Sequence, residues 1–563
     1  MDEHKAVPVR RAGAPPMSNK GYGDAGASYV KKSLKGFTAR SGSPREDIDA
    51  HNYTLRQRAR MLYMSAPMAT SAIKTNRTNV IGSGLWLNSR INRATLGLTE
   101  EQAREWQHKT EEEFELWAAD KRNCDALGVS NFYSAQGLAF SAQLLSGDVF
   151  VVIRHEPVTD KNPYGLRFQL VEADRISTPA GLLGSNLSTF YTQGTAANGN
   201  SIYDGVEVDK NSSAIVAYYI RNTYPFEATA VPTNWVRVEA YGKETGLPNI
   251  LHIMEPERPE QYRGVTYLAQ VIEPLLQARR YTDSELTAAV VESFFTAFIT
   301  TELDPNDMPY NEVGGEGVPP VSDDENEYEM GPGTVNMLKP GENVAFAEPK
   351  RPAGGFDAFM NAVFKQVGAA LEIPADLLLK AFNASYSASR AALLEAWKAF
   401  KMRREWFIDD FCKPIYEVWL CEAVARGRIQ APGFFSDPRV KAAWLGSEWT
   451  GPSQGQLDPV KEIQAEQLAC ENGFSTREQA TVRLNGGSYE VNAEQLKKEN
   501  ELLKGASGRK ATPSAQQPQP SATDDEAEAD GKSGEEENDE LDRLAAALLP
   551  RLLNKLKQTG SGL

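Results

Sequence analysis

The sequence predicts an α+β fold, a mostly antiparallel sheet accompanied by long helices. Three observations carry this: helical spacing of apolar residues before Leu145 and again after Tyr267, period-two runs of β-branched and aromatic residues between Asp148 and Met254, and Asn- and Gly-rich stretches separating those runs. The 563 residues suffice for two to four compact modules, and 41% apolar with 24% charged residues fits a globular chain. No apolar run reaches the roughly 18 residues that a membrane-spanning helix needs. Met1 to Val30 is polar, basic and rich in Gly, Ala and Pro; it lacks the apolar stretch of an export signal and reads as a flexible arm.

Taken in order, residues 47–79 follow a helical pattern through Leu55, Leu62, Met68 and Ile73, which Pro67 bends or splits and Gly82 to Gly84 ends. Residues 99–121 form a second helix, opened by the capping box Thr99-Glu100-Glu101-Gln102, and residues 133–145 a third. Strands are expected at 148–153, 166–170, 215–220, 235–240 and 250–254, with residues 194–205 as the clearest separator. A long helix over 267–300 carries Leu268, Ile272, Leu275, Leu286, Val290 and Phe294; at ~1.5 Å per residue it spans roughly 50 Å.

Residues 304–353 are rich in Gly and Pro and carry the acidic run Asp323-Asp324-Glu325-Asn326-Glu327-Tyr328-Glu329. They predict a small β module with a mobile loop and strands at 334–338 and 343–346. Phe356, Met360, Val363, Val367 and Leu371 share one face of the next helix, which Pro374 stops. A connection over 375–389 leads to a helix over 389–425 with the stripe Leu393, Trp397, Phe400, Phe407, Phe411, Ile415 and Val418, bent by Pro414. Two or three short helices fill 458–504. Residues 505–538 are acidic and poor in apolar side chains, which predicts disorder, and 539–557 form a closing amphipathic helix.

Signatures of catalysis are sparse. No GxxxxGK[ST] loop is present to cradle a triphosphate, which argues against a P-loop motor ATPase. Gly21 to Gly26 spells GxGxxG with no strand before it. Gly451-Pro452-Ser453-Gln454-Gly455 spells GxSxG, but Pro452 and Pro459 point to a turn rather than a nucleophile elbow. Ser385, Ser387 and Ser389 have no His close in sequence, although a base could reach them from elsewhere in the fold. Cys124, Cys412, Cys421 and Cys470 form no CxxC pair and read as free thiols. The acidic run lacks EF-hand spacing and reads as a solvated loop or a weak cation site. No catalytic residue, metal or cofactor is expected.

A series of blocks, each weak alone but specific in its order, resembles the lambda-like family of phage portal proteins from about residue 45 to about residue 500. The blocks are Arg56-Gln57-Arg58-Ala59-Arg60-Met61-Leu62, Asn79 to Gly84, Leu145-Ser146-Gly147-Asp148-Val149-Phe150 and Leu170-Val171-Glu172-Ala173-Asp174-Arg175-Ile176. They continue with Tyr262-Arg263-Gly264-Val265, Tyr281 to Leu286, Leu338 to Glu342, Leu371-Glu372-Ile373-Pro374, Asn383 to Leu393 and Asp458 to Glu462. The resemblance implies a portal fold with an α/β wing, long stem helices, a small β-containing clip and a helical crown. Its boundaries would be an arm over 1–45, wing 46–266, first stem helix 267–302, clip 303–355, second stem helix 356–373, tunnel loop 374–389, long wing helix 390–430 and crown 431–504. The acidic linker 505–538 and final helix 539–563 match nothing in the family pattern.

The resemblance further implies a homo-oligomeric ring, twelve copies in this family, assembled in the host cytoplasm and sited at one capsid vertex of the virion. Double-stranded DNA would pass through it during packaging and ejection. Partners would be the terminase large subunit, head-completion and connector proteins, and major capsid and scaffold proteins, with no membrane. A net charge of −16 agrees with a conduit that must not grip phosphates tightly. Lys380 and Asn383 in the tunnel loop and Lys365 on the second stem helix would make transient phosphate contacts, or be merely solvated. Asp323, Asp324, Glu325, Glu327 and Glu329 in the clip would meet the motor and connectors. Lys398, Lys401, Arg403 and Arg404 form a basic cluster suited to DNA or to ion pairs between subunits. The aromatics from Trp397 to Trp419 would divide between an interface and the monomer core. The rival readings are an assembly-pathway enzyme, such as a nuclease or head protease, and a non-viral scaffold.

Overall fold

Ala66 leaves the helical region at φ −117°, ψ 111°, so the first helical pattern splits into Ala50–Ser65 and Pro67–Val80. Pro67 stands at the first helical position, where no N–H is needed. In this computed structural model the described residues are 26–159, 162–183, 193–228, 231–293, 297–301, 342–346, 355–382, 385–455 and 459–506. The chain divides into two units, 1–493 and 494–563. The first holds every described element except the end of the Tyr489–Ala506 helix.

The capping box forms as the sequence predicts. The Thr99 hydroxyl accepts the Gln102 N–H at 3.2 Å and the Gln102 side chain accepts the Thr99 N–H at 3.0 Å, opening the Glu100–Ala118 helix. Asn131 caps Phe132–Ser146, a helix with ten buried positions that packs against the wing sheet and the first two helices.

Asp148–His155 is the centre of a three-stranded sheet, antiparallel to Leu166–Glu172 on one side and Ile250–Met254 on the other. A five-stranded antiparallel meander runs in sequence order through Gln193–Thr195, Ser201–Tyr203, Val206–Val208, Ile215–Arg221 and Trp235–Glu239. Residues 194–205, expected as a separator, thus contain strand. The reason is local: Asp204 and Gly205 both take positive φ, 44° and 84°, which makes the tight two-residue hairpin that turns Ser201–Tyr203 into Val206–Val208. Trp86–Ser89 pairs with Ser447–Thr450, a ladder between distant segments that no local pattern announces.

The long first stem helix is shorter than expected. A 3-10 turn, Ala269–Val271, leads into Ile272–Ser293, and Ala297–Thr301 is a strand paired antiparallel with Glu342–Phe346. Phe298, Ile299, Thr300 and Thr301 are β-formers, and their residue-type preference prevails over helical continuation. The expected strand at 343–346 is present, whereas 334–338 lies outside the described residues. Phe356–Ala370 is helical as expected. The connection after it contains a further helix, Ala375–Leu379, and the next long helix starts early, at Tyr386. That helix, Tyr386–Phe407, continues through a π turn, Ile408–Cys412, into Lys413–Ala425. Pro414, which has no N–H to donate, follows this wider turn at the start of Lys413–Ala425. Three helices follow residue 458: Pro459–Glu471, Arg477–Asn485 and Tyr489–Ala506. The Tyr489–Ala506 helix takes in the first two residues of the segment expected to be disordered over 505–538; its remainder, residues 1–25 of the arm and 539–563 lie outside the described residues.

One large core joins the long helix to the wing. Phe114 stands edge-on to Trp419 at 5.1 Å and to Phe132 at 5.4 Å between ring centroids, and such pairs contribute about 0.5–1.5 kcal/mol each beyond burial. Trp397, Phe400, Phe407, Phe411 and Trp419 are all buried in this core, so only Trp406 of the aromatic stripe remains for an interface. Cys124, Cys412 and Cys421 are buried free thiols, as expected, and Cys470 is half-buried.

Candidate channel elements and the network that aims them

Charged residues from separate parts of the sequence converge at one buried place. Arg263, fully buried, donates to both oxygens of Asp148, at 2.6 and 3.2 Å, to the Asp204 carboxylate at 2.6 Å, and to the carbonyls of Ala173 and Ile176 at 3.0 and 3.1 Å. Arg56 on the Ala50–Ser65 helix reaches the same Asp204 at 3.1 Å, and Arg60, one turn on, pairs with Asp174. Asp148 also accepts the Gly264 N–H at 3.1 Å, and His252 Nε2 lies 3.3 Å from it. Burial acts to raise the Asp148 carboxyl, but Arg263 and His252 outweigh it and hold it far below the ordinary range. Burial lowers His252, although Asp148 pulls the other way. Beside these charges the backbones of Gly147, at φ 90°, and Gly264 meet so closely that a Cβ on either would strike the other's carbonyl.

This network fixes the chain immediately before the Ile272–Ser293 helix. Tyr267 donates to the Leu371 carbonyl and accepts from Asn76 at 3.2 Å. Leu268, Ile272, Leu275 and Ala278 are buried, so the first two turns of the Ile272–Ser293 helix are anchored. Beyond Ala278, through Val290, no residue of that helix is buried, and Leu286 and Val290 are 66% and 49% exposed. The Tyr281 ring meets Phe356 and Phe359 of the Phe356–Ala370 helix at 5.3 and 5.2 Å. That helix buries Met360 and Val367 and then ends at Glu372, which takes φ 53°. The Glu372 carboxylate binds Arg403 at 2.6 Å, and Arg403 also donates to Asn76 at 3.1 Å.

Of the residues the sequence singles out, Lys365 is exposed on the Phe356–Ala370 helix. Lys380 is the exposed left-handed C-cap of Ala375–Leu379, at φ 55°. Among the described residues neither ammonium makes a hydrogen bond or an ion pair, and no contact joins the two. Asn383 and the clip residues Asp323, Asp324, Glu325, Glu327 and Glu329 lie outside the described residues.

The basic cluster is partly reassigned. Arg404 donates to the carbonyls of Asn79, Val80 and Pro452 at 2.7–2.8 Å, closing the end of the Pro67–Val80 helix, and burial lowers it to about 10. Arg403 is likewise spent inside the subunit, and Lys398 pairs with Glu395 at 2.6 Å. Arg403 and Arg404 are engaged within the subunit because ends of other helices place carbonyls and a carboxylate against them, whereas Lys398 pairs along its own helix face. Gly451 to Gly455 is a loop, the turn that Pro452 predicts. Among the described residues no three His, Cys, Asp or Glu converge to hold a metal, and no described helix is long and apolar enough to cross a membrane.

Sequence reasoning missed the Arg263–Asp148–Asp204 centre as a unit. Its signal was present: Asp148 opens an apolar strand and Arg263 precedes a glycine, both inside the blocks quoted for the resemblance. Four of those blocks, around Arg56, Asp148, Asp174 and Arg263, meet at this one place.

Comparison with known proteins gives the same assignment. The family described as phage portal protein, lambda family, matches residues 31–404. Portal protein B of Escherichia phage lambda is 24% identical over 481 residues, covering 81% of this chain and 85% of that one. The portal protein of Escherichia phage N15 is 24% identical over 486 residues, covering 81% and 87%. A probable portal protein of Halomonas phage phiHAP-1 is 25% identical over 440 residues, covering 77% and 78%. Among solved structures, a chain from the neck of a native gene transfer agent particle aligns over 77% of this chain and 92% of its own length, at 13% identity and a TM-score of 0.38. With the family pattern matched over most of its length, this chain belongs to the lambda family of phage portal proteins.

Proposed function

We propose that copies of this chain close into a ring around a channel for duplex DNA at one vertex of the virion, with twelve copies as the expected number. The observation that carries this is the outer half of the Ile272–Ser293 helix, where Leu286 is 66% exposed in the isolated chain. A large apolar side chain left this exposed on a helix is best covered by a neighbour, and repeated head-to-tail contacts between identical copies close into rings. The charge of −16 per copy keeps DNA mobile in such a channel, because each phosphate contact would add affinity and drag.

In this reading the wing extends to about residue 266, the stem helices carry the channel wall, and the segment joining Ala297–Thr301 to Glu342–Phe346 is the clip. Its acidic run, Asp323 to Glu329, docks the terminase large subunit and later the head-completion and connector proteins. Lys365, Lys380 and Asn383 touch phosphates transiently. Capsid and scaffold proteins meet the outside of the ring, ATP hydrolysis belongs to another molecule, and the chain itself needs no cofactor. Assembly takes place in the host cytoplasm before the ring enters the virion. Electron microscopy of the purified protein, viewed down its symmetry axis, tests the reading. Rings with a central opening wide enough for a duplex are expected; compact particles without one, or nucleotide turnover by the protein alone, would overturn it. Removal of Asp323 to Glu329 should leave rings intact and weaken motor or connector docking.

A further inference from the structure

A cavity of about 440 Å³ opens between the Phe132–Ser146 helix, the end of the Ile250–Met254 strand and the π turn Ile408–Cys412. Phe140, Ile253, Phe407 and the partly exposed Trp406 give it apolar walls. Glu255 and Asp410 line it as well, and among the described residues neither carboxylate makes a hydrogen bond or a close ion pair. The other charged groups there are already engaged: Arg403 with Glu372 at 2.6 Å and Asp409 with Lys413 at 2.5 Å. Burial raises both carboxyls, against the Arg403 charge at Glu255, and takes Asp410 to about 6 with Asp409 adding to the effect. Aromatic surface beside two carboxylates that no hydrogen bond occupies suits a cationic, aromatic segment.

The same chain carries the complement. Residues 26–45 contain the cations Lys31, Lys32, Lys35, Arg40 and Arg45 and no acid. The root of this arm is fixed: the Arg45 guanidinium lies 3.7 Å above the Tyr203 ring, and Arg258 holds the Gly42 carbonyl at 3.0 Å and Asp47 at 2.6 Å. Outward from the root, residues 26–41 bury nothing, and Phe37 is 77% exposed. Arg258 follows Glu255 by three positions, so the root of the arm and the cavity share one short stretch of backbone. Five residues from Gly42 to Phe37 reach at most ~17 Å. Even so, Phe37 does not line the cavity of its own chain.

We propose that residues 35–40 of one copy dock in this cavity on a neighbouring copy, with Phe37 against Trp406 and with Lys35 and Arg40 toward Glu255 and Asp410. The docking rests on the ring reading, and it would link each subunit to the next by a strap as well as by the stem helices.

The test places single cysteines beside the contact, Thr38→Cys and Pro256→Cys, in a Cys470→Ser chain whose other cysteines are buried. A short bis-maleimide is applied to particles already seen as rings by microscopy. A ladder of covalent multimers on a denaturing gel is expected. Phe37→Ala or Arg40→Glu should cut that ladder about tenfold, as loss of an anchor in a small contact does, and Asp410→Lys should restore it in the Arg40→Glu chain. Intact rings without a ladder, a cross-link confined within one chain, or a ladder indifferent to Phe37→Ala and Arg40→Glu would each overturn the proposal. A loss of duplex DNA binding in Arg40→Glu rings with the ladder unchanged would also overturn it, assigning the arm to nucleic acid instead. If the parent protein forms no rings, the ring reading falls and the docking falls with it.

Discussion

Arg263 and Asp148 meet at 2.6 Å with about 1% of either side chain exposed. Such a pair contributes little beyond a well-packed apolar substitute, but breaking it leaves a naked charge inside the protein. Arg263→Leu is therefore expected to cost about 3–5 kcal/mol, because Asp148 and Asp204 lose their shared partner. Arg263→Lys should recover only part of this, since an ammonium cannot reach two carboxylates and two carbonyls at once. Urea unfolding monitored by tryptophan fluorescence checks both. The pH dependence has a definite sign. Asp148 is held below its ordinary range in the folded chain, so its contribution is complete above the unfolded value near pH 4 and is lost as pH falls toward the folded value. Parent protein should lose stability in acid more steeply than Arg263→Leu.

Asp49 beside the same network should behave in the opposite way. Burial first, and Asp204 next, raise its carboxyl from 3.8 to about 7, with Asp148 adding and Arg263 and Arg45 opposing. The folded chain then retains a proton between those values that the unfolded chain releases. Stability from this site is full below about pH 4 and declines as pH rises through 7. Asp49→Asn mimics the protonated state at every pH. It should exceed the parent at pH 8 by on the order of 2–4 kcal/mol, and the gain should vanish near pH 4. Equal midpoints at pH 8 would show that Asp49 ionises without cost.

Leu286 separates folding from assembly. It is 66% exposed, so Leu286→Ser removes little from the isolated chain, within about 0.5 kcal/mol. If the stem helix is covered by a neighbour, the same change should shift the population from rings toward free subunits. Mass measurement by light scattering reads this directly. A ring population unchanged at low protein concentration would remove Leu286 from the interface.

What the sequence made legible was local. The break at Pro67, the Thr99–Gln102 box and the period-two strands depend on neighbours within a few residues, and they lie where the pattern puts them. The ladder of Trp86–Ser89 on Ser447–Thr450 depends on partners far apart, and nothing local encodes the pairing. The same holds for Arg403 and Arg404. As a string they look like an outward basic patch, but one points into Glu372 and Asn76 and the other onto three carbonyls. Thr300 differs for another reason: the helical stripe runs into residues that prefer strand, and their preference prevails. The blocks that carried the family resemblance were informative because several of them meet around Arg263, although their meeting could not be read from their order.

Lys380 tests the channel reading without confusing charge with fold. At φ 55° it takes a conformation that costs an ordinary residue roughly 1 kcal/mol and costs glycine little. Lys380→Gly should therefore match or exceed the parent in thermal stability, whereas Lys380→Ala should keep the backbone strain. Both remove the ammonium. If that ammonium touches DNA, packaging or retention should change equally in the two variants while ring assembly survives in both. If the residue matters only as the cap of Ala375–Leu379, packaging should follow stability and Lys380→Gly should behave as parent. A packaging assay run beside a melting curve for the two substitutions separates these outcomes, and parental packaging in Lys380→Ala would remove Lys380 from the channel altogether.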